Sequence, residues 1–108
     1  MKKKLKFEID LDENHLPENI SMSSSDSSAN ENNIKALFVS AWQAKKKETL
    51  RIDLWTKDMP VNEMFIFYHQ SLLSMAQTLE KSTGHERLSE ALRDYCNFFA
   101  EQTQITKE

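Results

Sequence analysis

A chain of 108 residues is long enough to form a domain with its own buried core. Its 14 basic and 17 acidic residues give a net charge of −3, which disfavours a nucleic-acid binder that works by neutralising phosphates. The single cysteine, Cys96, cannot form an intramolecular disulfide, so the fold does not depend on an oxidising compartment.

The amino terminus carries three lysines, as the start of a signal peptide would, but no uninterrupted apolar stretch follows them. The longest apolar run in the chain, residues 64–68, is too short to cross a bilayer. These two features predict a cytoplasmic protein without membrane insertion.

The first predicted strand covers residues 4–11, where apolar side chains occupy every second position. Turn-forming residues follow at 12–19, and a short returning strand is expected near Ile20. Residues 21–32 are rich in serine and asparagine and show no apolar period, which predicts a mobile loop.

A helix capped by Asn32 or Asn33 is predicted next, because apolar residues recur at helical spacing as far as Trp42. Three lysines at 45–47 suit the negative end of its dipole. The third predicted strand spans residues 49–56 and alternates in polarity. One of its faces carries Leu50, Ile52 and Leu54, and the other carries Arg51, Asp53 and Trp55.

Two further helices are predicted, at about 62–82 and 86–102. Asn62 is the expected N-cap of the first, and Gly84, the chain's only glycine, is placed for a left-handed C-terminal cap. Cys96 falls within the apolar stripe of the last helix, where a cysteine usually acts as a small core hydrophobe.

The predicted order is β-β-α-β-α-α, an α+β fold with a small three-stranded sheet and helices packed on one face. Antiparallel pairing of strands one and three with residue numbers summing to 59 sets Lys6 opposite Asp53 and Glu8 opposite Arg51. This register gives strand order 2-1-3. We expect residues 1–108 to form a single globular domain.

The sequence lacks the residue sets that catalysis requires. The three histidines have no partners at metal-binding spacing, and one glycine cannot build a glycine-rich phosphate loop. We therefore expect no enzymatic activity and no metal or cofactor.

Several apolar residues fall outside the predicted core, and such residues mark a contact surface when they cluster. They are Trp55, which follows Arg51 and Asp53 on the polar strand face, and Ile66, Phe67 and Leu73 on the first long helix. The alternative is that the last helix covers Phe67 and that the tail or the serine-rich loop covers Trp55. If these side chains are uncovered, they predict a homo-oligomer, a dimer or higher.

The string Ile-Asp-Leu-Trp-Thr-Lys-Asp-Met at residues 52–59 resembles a hallmark of the gliding-motility protein GldC family of Bacteroidota. The resemblance extends to the alternating first strand, the proline in the following turn and the helix start around Phe65. The serine-rich segment 21–28 departs from the family, which often carries an aromatic residue there.

This resemblance implies a small cytoplasmic accessory of gliding motility, linked to type IX secretion and without catalytic residues. We predict that it acts by binding protein partners, in the gliding or secretion machinery. The alternative is a chaperone-like binder of unfolded export clients. Co-purification of one folded partner would favour the first function, and of many unfolded precursors the second.

Overall fold

The computed structural model describes residues 1–25 and 31–105, except the side chain of Asn32. The chain divides into two compact units, Met1–Met59 and Pro60–Glu108. The first unit contains five strands: β1 (Leu5–Leu11), β2 (Pro17–Ser24), β3 (Glu31–Ile34), β4 (Ala36–Gln43) and β5 (Glu48–Trp55). The second contains two helices, α1 (Val61–Thr83) and α2 (Glu86–Thr103). The predicted α+β class is confirmed.

The first three strands form an antiparallel sheet in the order β1-β2-β3. Its centre is a row of isoleucines, because Ile9 pairs with Ile20 and Ile20 pairs with Ile34. Ile20 has no exposed surface, whereas the side chains of β1 at both ends of the strand are exposed. Cross-strand apolar contact around Ile20 therefore supplies the core of this sheet.

The last two strands form an antiparallel hairpin. Its eight pairs run without interruption from Ala36 opposite Trp55 to Gln43 opposite Glu48. The turn between them ends at Lys47, whose φ is 55° and whose N–H donates to the Gln43 carbonyl oxygen at 2.9 Å. The predicted strand at 49–56 is thus confirmed as β5.

The predicted helix between Asn33 and the lysines at 45–47 is wrong, because this segment forms β3, β4 and the hairpin turn. Its apolar run fits both the strand and the helical period. Leu37 and Val39 alternate with Phe38 and Ser40, whereas Leu37, Phe38 and Ala41 recur at helical spacing. The β-branched and aromatic side chains in the run favour a strand once a partner strand is present. β5 supplies that partner over its whole length.

The predicted strand order 2-1-3 is also wrong. β1 does not pair with β5 through Lys6–Asp53 and Glu8–Arg51; it pairs with β2, and β5 pairs with β4. Both observed pairings are local hairpins, which close short loops and lose less chain entropy than a long crossover. The predicted loop at 21–32 is shorter than expected, since β2 extends to Ser24 and β3 begins at Glu31. Residues 26–30 of that loop lie outside the described residues, and the single-domain arrangement stays a prediction.

The two helices of the second unit begin and end within two residues of the predicted bounds. Gly84 adopts φ 73° and its N–H donates to the Glu80 carbonyl oxygen at 2.8 Å, which confirms the left-handed cap. The predicted N-cap Asn62 is wrong: α1 begins one residue earlier, and Pro60 occupies the cap position. Proline suits this end because the first helical turn has N–H groups without intrahelical partners anyway.

The helices pack through small residues, which let the two backbones approach closely. The buried residues of the pair are Ala76, Ser89, Cys96 and Ala100. Aromatic rings gather near one end, where Phe99 lies 6.2 Å from Phe65, 6.3 Å from His69 and 6.4 Å from Tyr95 between ring centroids. Cys96 is buried, as expected for a core hydrophobe, and burial raises the pKa of its thiol.

Candidate functional site

One face of the β4–β5 hairpin combines two exposed tryptophans with a charged pair. Ser40 lies opposite Arg51, Trp42 opposite Thr49, and Trp55 opposite Ala36. Trp42 exposes 65% of its surface and Trp55 exposes 56%. We call Trp42, Ser40, Arg51, Asp53 and Trp55 the tryptophan face.

The charged pair is fixed in geometry. Arg51 Nη2 donates to Asp53 Oδ1 at 2.7 Å, and Nε donates to Oδ2 at 3.2 Å. The remaining terminal nitrogen, Nη1, donates to Ser40 Oγ at 3.0 Å, which ties the guanidinium to the neighbouring strand. A bidentate pair of this kind holds a planar, oriented group on the surface.

The two tryptophans lie at opposite ends of the face. Trp42 is near the hairpin turn, and Trp55 is opposite Ala36, six residues away on the same strand as Trp42. At 3.3 Å per residue, this separation is about 20 Å. The face is therefore long enough for contacts at two aromatic points with the arginine pair between them.

A depression of about 330 Å³ adjoins Trp55. Its walls are mainly apolar: Leu16, Pro17, Leu54 and Trp55 line it together with the charged residues Asp53 and Lys57. The start of β2 and the end of β5 build it together, because the Lys57 N–H donates to the Pro17 carbonyl oxygen at 3.3 Å.

The segment after Trp55 fastens β5 to the rest of the first unit. Thr56 is buried; its N–H donates to the Lys35 carbonyl oxygen at 2.8 Å and its hydroxyl donates to Asp58 at 2.6 Å. The Lys35 ammonium donates to the other carboxylate oxygen of Asp58 at 3.1 Å. These bonds fix the end of β5, and with it the position of Trp55.

Lys57 ties the same segment to the β1–β2 turn. Its ammonium lies 3.0 Å from Asp12 Oδ2 and 3.3 Å from Glu18 Oε1. Asp12 Oδ1 in turn accepts the N–H groups of Leu16 at 2.9 Å and Asn14 at 2.8 Å. One carboxylate therefore organises the turn and binds the segment that follows β5.

These contacts change the acidity of both aspartates. The hydrogen bond from the Leu16 N–H, and next that from Lys57, lowers the pKa of Asp12. The Thr56 hydroxyl, and next Lys35, lowers the pKa of Asp58. The bond to Asp12 correspondingly raises the pKa of Lys57.

A family model described as "Gliding motility-associated protein GldC-like" matches residues 17–105. The chain belongs to the GldC-like family. No curated protein and no solved structure matches it significantly. The match confirms the resemblance drawn from the sequence and associates the protein with gliding motility.

The string at 52–59 that carries this resemblance divides into two parts in the structure of the GldC-like chain. Asp53 and Trp55 belong to the tryptophan face. Thr56, Lys57 and Asp58 make the hydrogen bonds that fasten β5. The string thus contains both residues of the tryptophan face and the residues whose hydrogen bonds hold that face in position.

The structure brings together half of the residues predicted from the sequence as a contact surface. Arg51, Asp53 and Trp55 share one face, as the alternation predicted. Ile66 is 37% exposed on α1, whereas Phe67 and Leu73 on the same helix are half-buried. Self-association through Trp55, Ile66, Phe67 and Leu73 stays a prediction, and its residues belong to two different units.

Two residues of the tryptophan face, Trp42 and Ser40, are not among those predicted from the sequence. Helical spacing places Trp42 in the buried stripe of a helix, where an aromatic residue needs no functional explanation. The signal that could have identified it is the alternation of Trp42, Ser40 and Phe38 against Ala41, Val39 and Leu37.

In the described part of the chain, neither helix is long and apolar enough to cross a membrane. Across residues 1–25 and 31–105, no group of three or more histidine, cysteine, aspartate and glutamate side chains could hold a metal ion.

The lowered pKa values of Asp12 and Asp58 predict an acid-sensitive first unit. In the unfolded chain these two carboxylates take up protons near the ordinary pKa of 3.8, whereas in the folded chain they take up protons only at lower pH. The stability from these groups is therefore complete above that pH and is lost as pH falls through the lowered values. The urea midpoint followed by tryptophan fluorescence should fall over this range, and less steeply in a variant with Asp12→Asn and Asp58→Asn.

The control for this titration is Glu13→Gln, an exposed acid in the same turn. It should retain the wild-type pH dependence. An unchanged slope in the double aspartate variant would contradict the assignment.

Proposed function

We propose that this GldC-like protein is a non-enzymatic accessory of gliding motility that binds a protein partner through its tryptophan face. The observation that carries the proposal is the pair of tryptophans, each more than half exposed, on the same face of one hairpin. Trp and Arg dominate the residues whose loss weakens protein interfaces most. A monomeric protein gains nothing in stability from leaving two such side chains in water.

The charge of the face favours protein over phosphate as a ligand. Asp53 already neutralises the Arg51 guanidinium through two hydrogen bonds, and the whole chain has a net charge of −3. A surface that binds nucleic acid needs uncompensated positive charge. The proposal includes a cytoplasmic location and no cofactor.

The test replaces the chromosomal gene of a gliding bacterium with a variant carrying Trp42→Ala and Trp55→Ala. Truncation of one aromatic hot-spot residue costs about 2 kcal/mol or more, so partner affinity should fall about 30-fold or more. We expect reduced colony spreading and slower single-cell gliding at unchanged protein level. A variant with both tryptophans replaced by phenylalanine should retain most activity.

Phe98→Ala is the matched control, because Phe98 is a 53% exposed aromatic on α2. It should leave gliding unchanged. Wild-type gliding by the double tryptophan variant would overturn the proposal, as would equal loss in the Phe98 variant.

The second candidate function is a chaperone-like binder of unfolded export clients. The apolar depression beside Trp55 favours it, since its volume of about 330 Å³ would take one or two apolar side chains of an extended segment. A photo-crosslinking residue in place of Trp55 separates the two functions, with the hairpin-turn residue Lys46 as the control position. One folded protein captured at Trp55 supports the accessory function, and many unrelated unfolded precursors support the chaperone-like one.

A further inference from the structure

β1 lies at an edge of its sheet, since within residues 1–25 and 31–105 it pairs with β2 alone. The Ser25 N–H donates to the Lys4 carbonyl oxygen at 3.0 Å, and the Asp12 N–H donates to the Leu16 carbonyl oxygen at 2.9 Å. Hydrogen-bonded pairs alternate along an antiparallel ladder, so the even-numbered residues of this strand direct their backbone groups towards β2. The odd-numbered residues direct theirs towards the open edge.

The charges along this strand are opposite on the two sides of Phe7. Lys6 and Lys4, the residue immediately before β1, precede it, Glu8 and Asp10 follow it, and all four side chains are exposed. A strand with this pattern, met by a copy of itself running in the opposite direction, presents an acid wherever the copy presents a lysine. The charges along the β1 edge are therefore complementary to those of a second, antiparallel copy of the same edge.

We propose that β1 pairs antiparallel with β1 of a second copy of this chain, about a two-fold axis through Phe7. Lys6 then lies opposite Glu8 of the second copy, and Lys4 lies opposite Asp10 of the second copy. The symmetry makes each contact twice, which gives four pairs of opposite charge across the strands. The two three-stranded sheets become one six-stranded sheet, and two exposed edges are removed.

The backbone geometry supports the same register. Phe7 directs its N–H and C=O towards the edge, so it forms a hydrogen-bonded pair with its own copy at the axis. The charged residues then occupy the intervening non-hydrogen-bonded pairs, where side chains approach most closely. On the other face Leu5, which is 58% exposed, lies opposite Ile9 of the second copy.

Neighbouring registers are less favourable. A shift of two residues in one direction places Lys6 opposite Lys6 of the second copy, and a shift in the other places Glu8 opposite Glu8. Like charges directly opposite each other destabilise a strand pair. β5 is another strand edge, but its Arg51 and Asp53 are held together by two hydrogen bonds, whereas the exposed Lys6 and Glu8 of β1 share one contact at 3.2 Å within their strand.

Sedimentation equilibrium of the purified protein up to about 1 mM tests the proposal, because a contact made by one strand edge is small and reversible. The wild-type protein should dimerise, and more weakly as salt is raised. A variant with Lys4→Glu and Lys6→Glu carries acids on both sides of Phe7, and one with Glu8→Lys and Asp10→Lys carries lysines on both. Each should raise the dimer Kd by about tenfold or more, since four attractive pairs become repulsive.

Mixing the two variants separates charge complementarity from loss of folding, since the mixture restores all four opposite pairs and should form heterodimers at wild-type strength. A variant with Lys6→Glu and Glu8→Lys keeps the wild-type net charge and remains complementary to itself, so it should dimerise as the wild type does. A monomeric wild-type protein at about 1 mM would overturn the proposal. So would a dimer that the four-charge variants leave unchanged, or a mixture that fails to associate.

Discussion

Replacement of Ile20 by alanine is expected to lower the free energy of unfolding of the first unit by about 2–5 kcal/mol. Ile20 has no exposed surface and lies between Ile9 and Ile34 in the pairing of β1, β2 and β3. The substitution removes three carbon atoms from a site with neighbours on both flanking strands. The lost burial and the remaining cavity both contribute to the cost.

Tryptophan fluorescence during urea unfolding measures this effect, because both tryptophans of the chain, Trp42 and Trp55, lie in the first unit. Ile52→Ala is the matched control, since Ile52 also lies in a strand but is 53% exposed. It should shift the urea midpoint much less. Ile20→Val, which keeps most of the side chain, should cost about 0.5–1.5 kcal/mol. Equal midpoints for Ile20→Ala and Ile52→Ala would show that the core of this unit lies elsewhere.

Local patterns determined which elements could be predicted from the sequence. The alternation of residues 4–11 and 49–56 predicted β1 and β5, and the helical periods at 62–82 and 86–102 predicted α1 and α2. Gly84 is the clearest case, since only a left-handed cap explains a lone glycine between two apolar-periodic segments. The helix predicted around Leu37 and Val39 is wrong because the apolar residues of this segment fit both the helical period and the strand period.

The pairing of strands could not be predicted from the sequence. The register that sets Lys6 opposite Asp53 satisfied charge and polarity, yet both strands pair with their immediate neighbours in the chain. Charge complementarity is shared by many registers, whereas hairpin closure is favoured by short loops.

In the candidate site too, the features within one strand could be predicted from the sequence, and those that depend on pairing between strands could not. The common face of Arg51, Asp53 and Trp55 follows from alternation within one strand, and the structure confirms it. Trp42 reaches this face only through the pairing of β4 with β5, so an error in one element hid it. The contact of Lys57 with Asp12 joins residues 45 positions apart, and no local pattern signals such a pair.

The second substitution with a large expected effect on stability lies in the helical unit. Replacement of Ala76 by leucine is expected to destabilise it by about 1–3 kcal/mol, because extra carbon atoms in a close-packed site force side chains or backbone to shift. Ala76 has no exposed surface, and the other residues buried between the helices, including Cys96 and Ala100, are small as well. Because Ala76 has no exposed surface, a branched side chain at this position has to displace its neighbours.

Ala91→Leu provides the control, since Ala91 is exposed on α2 and receives the same substitution. Leucine and alanine differ by only about 0.2 kcal/mol in helix propensity, so the two variants differ in burial alone. Circular dichroism at 222 nm during urea unfolding should show a lower midpoint for Ala76→Leu and a nearly unchanged one for Ala91→Leu. Equal midpoints would contradict the close packing of the helices. Tryptophan fluorescence recorded on the same Ala76→Leu samples tests the single-domain prediction, since a cooperative domain requires both signals to shift together.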